Sequence, residues 1–147
     1  MIDVPALLHN AKGFVGTLGP QVTASGRDGA VVRLDAGPEL HNHLSGPHAA
    51  VIFGLGETAA FAVLLEVFGD LVEGGAIPLI KQGTIAYLAI TTGPLLATAA
   101  LVGDEQSARA RLAEHGSCSF DIEVSFSSEA DAVRTATMTA TMALKRL

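Results

Sequence analysis

Residues Ala49 to Val72 read AAVIFGLGETAAFAVLLEVFGDLV, and the placement of this stretch decides the fold. Its length is about the ~20 residues a bilayer crossing requires. Three acids interrupt it, Glu57, Glu66 and Asp70, and no Lys or Arg stands beside either end to anchor it at an interface. An acid at bilayer depth costs several kcal/mol, so the expectation is no membrane span. The remaining reading is a water-soluble helix that is apolar nearly all round, which must be covered nearly all round.

The segments on either side supply the cover. Upstream, Gln21 to Arg27 and Ala30 to Asp35 read as two short strands joined at Asp28-Gly29, a hairpin signal. Pro5 to Lys12 reads as a short leading helix. Gly37 to Pro47 (GPELHNHLSGP) is a loop by composition, with Pro47 suited to the first turn of the long helix. Downstream, Gly69 to Pro78 closes that helix. Lys81 to Thr91, Leu95 to Val102, Ser117 to Ser127 and Val133 to Lys145 follow, all rich in Thr, Val, Ile or alternating apolar residues. The last is the clearest strand: Thr135, Thr137, Thr139 and Thr141 alternate with Ala136, Met138, Ala140 and Met142, the period of a sheet with one buried face. Asp104 to Glu114 reads as an exposed helix inserted between strands, with Gly116 behind it. The order is hairpin, long helix, four strands. The economical arrangement is an α+β fold in which one antiparallel sheet curls around the helix.

The composition bounds function. With 147 residues, 49% of them hydrophobic and 16% charged, the chain is expected to form one domain spanning 1–147, and a polar disordered adaptor is excluded. A net charge of −6 disfavours nucleic acid as a partner, because phosphate neutralisation needs a basic surface. The lone Cys118 allows no internal disulfide, and the opening MIDVPALLHN carries no basic run ahead of its apolar stretch. Both features lead to a cytoplasmic expectation.

Glu57 is the first candidate for chemistry. Its helical neighbours Phe53, Gly54, Ala60, Phe61 and Leu64 include no base, so the carboxylate lies on an apolar stripe. Such a group has a partner from another element, a catalytic task, or a face in water. Glu66 lies about half a turn round and is expected in water near the helix end. The histidines His41, His43 and His48 fall within eight residues; with Glu57 they form a possible zinc or iron set, although the spacing fits no standard site. The first turn of the helix leaves N–H groups unpaired, that of Ala49 among them, and such donors can hold an oxyanion. Gly54-Leu55-Gly56 lies inside the apolar pattern with no strand leading into it, so close backbone packing is expected rather than a phosphate loop.

Asn42, His48 six residues on and Glu57 nine residues further, with the apolar helix beginning at His48, resemble the hotdog-fold acyl-CoA thioesterases of the phenylacetate-pathway and hydroxybenzoyl-CoA kind. The inferred order of elements matches over almost the whole chain, most closely a little-characterised branch with a helical insert before the last two strands. The family pattern places Asn or Gln, then His-Gly-Gly, then Asp or Glu on the helix. Here His48-Ala49-Ala50 replaces the glycines, and Phe61 stands where some members carry a hydroxyl one turn after the carboxylate. The resemblance implies a homodimer, possibly paired into a tetramer, that hydrolyses an acyl-CoA. In it the Ala49 N–H would polarise the thioester carbonyl, Asn42 would orient substrate or water, and Glu57 from the other subunit would act as base or nucleophile. No cofactor is implied beyond the CoA carried by the substrate. A rival reading is a non-catalytic hotdog module that binds acyl-CoA or an acyl chain, which Phe61 favours. For the CoA phosphates, Lys81 at the start of its strand and Arg109 and Arg111 on the inserted helix are the expected cations.

Overall fold

The computed structural model describes residues 1–147. The long helix, α3, runs from Ala49 to Glu73, and 15 of its 25 residues are buried. They lie on every side of it, so the helix is enclosed by the protein's own chain. Around it curls one six-stranded sheet made of β1 (Gln21–Gly26), β2 (Gly29–Leu34), β3 (Ile77–Tyr87), β4 (Leu95–Val102), β5 (Ser117–Ser128) and β6 (Arg134–Lys145). The spatial order is β1-β2-β4-β5-β6-β3, and every pairing is antiparallel. This is the hotdog arrangement. Alternation does the wrapping: in β5, Cys118, Phe120, Ile122, Val124 and Phe126 point inward while Ser117, Ser119, Asp121 and Glu123 face out.

Glycine sets how closely helix and sheet approach. A Cβ on Gly56 would stand 2.6 Å from the Met138 sulfur and 2.7 Å from the Phe126 ring, so α3 rests directly on β5 and β6. Near the C-terminal end of α3, Phe68 leaves helical geometry at φ −121°, ψ 16° and is fully buried, its ring centroid 4.5 Å from that of Phe120.

Several boundaries differ from the sequence reading. The leading helix, α1, is Val4–His9, capped by the Asp3 carboxylate accepting from the Ala6 N–H. Lys12 lies beyond it and precedes a second helix, α2 (Gly13–Leu18), that the sequence did not announce. The hairpin turn is Arg27-Asp28; Gly29 opens β2 at φ 151°, where a Cβ would stand 2.5 Å from the Ala99 carbonyl oxygen. Pro47 sits before the N-cap residue His48, outside the helix. Strand β3 begins at Ile77, four residues earlier than expected, and ends at Tyr87. Pro78 reads as a strand breaker, yet it is accommodated because β3 is an edge strand, where a missing N–H need not break a ladder bond. Lys81 therefore lies inside β3, at a bulge between Ile80 and Gln82, and does not start the strand. The inserted helix, α4, is Glu105–His115, capped by Asp104 and ended by Gly116 at φ 73°.

Candidate active site

The loop before α3 is shaped by its own side chains. Asn42 Oδ1 accepts from the N–H groups of Leu44 (2.9 Å) and Gly46 (3.3 Å), while its Nδ2 donates to the Pro47 carbonyl at 3.4 Å. Gly46 is required at its position, since a Cβ there would stand 2.1 Å from the Thr91 carbonyl oxygen. This folding of the loop delivers His48 as the N-cap, with its ring Nδ1 accepting from the Ala50 N–H at 3.0 Å. The His48 carbonyl takes the N–H groups of Val51 and Ile52. Of the first-turn donors, the Ala49 N–H has no partner in the chain, and Ala49 is exposed. An unpaired donor at the positive end of a 25-residue helix can bind an oxyanion.

Glu57 is half-buried and makes no hydrogen bond or ion pair within the chain. It opens into a cavity of about 480 Å³ lined by Leu8, Phe14, Val15, Gly54, Thr58 and Phe61. Eight residues separate it from Ala49, roughly 12 Å along the helix axis. Glu57 and the Ala49 N–H of the same chain are thus too far apart to act on a single carbonyl.

The histidines do not converge. His41 Nε2 lies 2.9 Å from the Ala36 carbonyl, His48 is occupied as the cap, and His43 is exposed with no partner. No group of three His, Cys, Asp or Glu side chains has the disposition of metal ligands. Glu66 also departs from expectation: it is half-buried and accepts from Ser25 Oγ at 2.6 Å, which ties α3 to β1.

The three cations expected at the CoA phosphates have different fates. Arg109 is engaged within the protein. Its Nη1 and Nη2 each lie 2.8 Å from an Asp70 carboxylate oxygen, Nη2 also donates to the Val67 carbonyl at 2.7 Å, and Nε donates to Glu105 at 2.7 Å. Glu105 also receives Arg27. The guanidinium further sits 5.4 Å from the Phe68 ring centroid. These hydrogen bonds, those donated to Asp70 foremost, raise the Arg109 pKa and hold the Asp70 carboxyl below its usual range. Arg109 thus clamps α4 onto α3. Lys81 and Arg111 are different: both are exposed and neither forms an ion pair. Lys81 Nζ donates to Ser119 Oγ at 3.1 Å, and Ser119 shares a cleft with Arg111.

A family model described as a domain of unknown function, DUF4442, matches residues 4–144. The chain belongs to the DUF4442 family. Among curated proteins no sequence matches. Among solved structures, this DUF4442 chain is similar to a Pseudomonas aeruginosa protein described as a probable thioesterase, with 19% identity, a TM-score of 0.81, and coverage of 97% of this chain and 93% of that one. It is similar to a Haemophilus influenzae thioesterase at 15% identity and TM-score 0.75, covering 99% and 90%. It is also similar to zebrafish thioesterase superfamily member 2 at 15% identity and TM-score 0.71, covering 94% and 93%. At 15–19% identity, TM-scores of 0.71 to 0.81 show the shared hotdog fold alone.

Two residues beside the candidate site of this DUF4442 chain escaped the sequence reading. Tyr87, the chain's single tyrosine, donates its hydroxyl to the Ala49 carbonyl at 2.8 Å and so fixes the helix start to the end of β3. The sequence reading placed it inside a strand running on to Thr91, so nothing in the sequence marked it as the residue that meets the helix start. Phe14, on α2, lies against Gly54, where a Cβ would stand 2.6 Å from its ring. The glycine in an apolar helix marked a close approach without naming the partner.

Proposed function

We propose that the protein hydrolyses acyl thioesters at a site assembled between two copies of the chain. The observation that carries this reading is the separation within one protomer of an unpaired, exposed oxyanion donor at Ala49 from an unpartnered carboxylate at Glu57. Each lacks what the other would provide, and a twofold pairing supplies it. Strand β3 is a sheet edge with none of its eleven residues buried, continued by the exposed apolar Leu88 and Ile90. Along it, Tyr87 lies beside Ala49, and Gly83 lies against the Phe53 ring, one turn before Glu57. An antiparallel meeting of two β3 strands about their middle reverses this order. It sets one copy's Ala49 beside the level of the other's Glu57.

In this arrangement the thioester carbonyl oxygen accepts from the Ala49 N–H. As a base, Glu57 takes a proton from water, which attacks the carbonyl carbon; the C–S bond breaks and the thiolate leaves with the electron pair. Asn42 holds the loop that sets the donor, with one amide hydrogen left for substrate or water. Lys81 and Arg111 are the cations available to CoA phosphates, and Arg109 supports α4. The solved thioesterases of the same fold support this reaction class. With a set of acyl-CoA esters and release of free thiol as the readout, Glu57→Ala is expected to lower turnover by orders of magnitude with an unchanged circular dichroism spectrum. Unchanged turnover would remove Glu57 from the mechanism.

Phe61 beside Glu57 favours the second reading, a module that binds acyl thioesters without cleaving them. Tight binding of acyl-CoA by the wild type, with no thiol released over hours, would decide for it.

A further inference from the structure

The cavity beside Glu57 is walled by an element outside the hotdog sheet. Helix α2 is only six residues long, bounded by Gly13 at φ 67° and Gly19 at φ 68°. It is anchored by Leu18, which is 3% exposed, while Phe14 remains 59% exposed. Phe14 closes against α3 only because residue 54 is a glycine. The remaining wall is Leu8, Val15 and Phe61, with Glu57 and Thr58 the sole polar members. The Thr58 hydroxyl is already committed: it donates to the Gly54 carbonyl at 2.8 Å. The lining therefore offers a carboxylate acceptor and no free side-chain donor. A carboxylate on an acyl group entering here would lose its hydrogen bonds to water, find no donor to replace them, and face the like charge of Glu57.

The geometry points to this cavity as the acyl subsite, selecting thioesters of plain hydrocarbon acids, with Phe14 as the residue that determines chain preference. The inference rests on the reading of Glu57 as part of a thioester site and adds the substrate class. At about 480 Å³ the cavity lies within the size range of small-ligand sites, roughly 300–1,000 Å³, enough for a hydrocarbon chain. Each methylene that enters it should tighten binding by about fourfold, until the cavity is filled.

The test uses the full-length protein and two readouts: KM and kcat for straight-chain acyl-CoA esters from acetyl to dodecanoyl, and calorimetric binding of the matching non-hydrolysable S-alkyl-CoA thioethers against CoA alone. The wild type should show a stepwise gain with chain length and a penalty of roughly tenfold for a chain ending in a carboxylate. Phe14→Ala removes a mostly exposed side chain, so the fold should persist while the gain per methylene flattens. Gly54→Ala should flatten it too, by pushing the Phe14 ring outward. The double variant should be no worse than Phe14→Ala alone, because both changes act on one wall. Thioethers that bind with this chain dependence, while no ester is hydrolysed, would uphold the subsite and overturn hydrolysis. Esters hydrolysed without chain dependence, or with one that Phe14→Ala leaves unchanged, would overturn the subsite and leave hydrolysis standing. Thioethers that bind no better than CoA would also overturn the subsite.

Discussion

Ala49→Pro and Glu57→Ala, mixed in one sample, test whether the site is shared. Proline at this position removes the proposed oxyanion donor with little cost to the helix. Residue 49 is the first helical position, its N–H has no partner to lose, and proline is favoured there. The residue before a proline must be extended, and His48 already stands at φ −61°, ψ 146°. The Ala49 carbonyl that receives Tyr87 is retained. Loss of one oxyanion donor typically lowers kcat by about 10²–10³, so each variant alone should be nearly inactive. In a twofold dimer of the two variants, one site joins the intact Ala49 N–H of one chain to the intact Glu57 of the other, and the second site loses both. Random re-association after mild unfolding places about half of the chains in mixed dimers, each with one working site of two, so activity should return to about a quarter of wild type. The assay is thiol release from an acyl-CoA before and after mixing, with size-exclusion chromatography reporting the dimer. Activity that stays at the level of the separate variants would refute a site divided between copies. A single-chain site is already disfavoured by the roughly 12 Å between the two groups.

Three further outcomes are expected. Asp70 is held below its ordinary pKa of 3.8 by Arg109, so the stability this pair adds is fully present above about pH 4 and is lost as pH falls through the lower folded value. Thermal melts of wild type and Asp70→Asn should accordingly differ at neutral pH and converge in acid; a constant gap would exclude the carboxylate as the cause. Gly56→Val should destabilise by about 1–3 kcal/mol in urea unfolding, because its side chain meets Met138 and Phe126 with no room to retreat. Reversing charge at Lys81 and Arg111 together should raise KM for an acyl-CoA while sparing a pantetheine thioester that lacks the nucleotide, whereas reversal at Arg109 should lower the melting temperature by freeing α4. An equal effect of the double reversal on both substrates would count against a phosphate role.

The sequence displayed the wrapped helix clearly because its signal is local: an apolar run interrupted by isolated acids can only be a buried helix. The alternating strands were equally legible, and β4 has the limits its residues suggested. What the sequence hid depends on distant partners. Pro78 looked like an end until the sheet order put β3 at an edge. Helix α2 is too short for a period to show, and its role depends on Phe14 meeting a glycine forty residues later. Arg109 and Arg111 look alike two residues apart on one helix, yet one faces Asp70 across a gap of 39 residues and the other faces solvent. Charge type can be read from a sequence, but charge engagement requires the packing. Asn42, His48 and Glu57 could be selected by residue type, spacing and resemblance, and the unpaired Ala49 N–H was expected from its first-turn position; the structure adds that the His48 ring caps the Ala50 N–H and leaves that of Ala49 free.

The sheet order has a consequence for how the chain is made. Strand β3 follows the long helix directly, yet its one partner within the chain is β6, the last strand, paired from Ile77 with Lys145 through Tyr87 with Ala136. As the polypeptide leaves the ribosome, the hairpin β1–β2 and the helix are available early, but the flank of the helix beneath β3 and β6 has no cover until nearly the whole sequence has emerged. During synthesis the newborn chain presents an apolar helix and an unpaired strand side by side, a species prone to capture by chaperones or to association with its neighbours. Closure of the barrel-like wrap is then a late, concerted step, and loss of even the final dozen residues would leave β3 without a partner inside the chain.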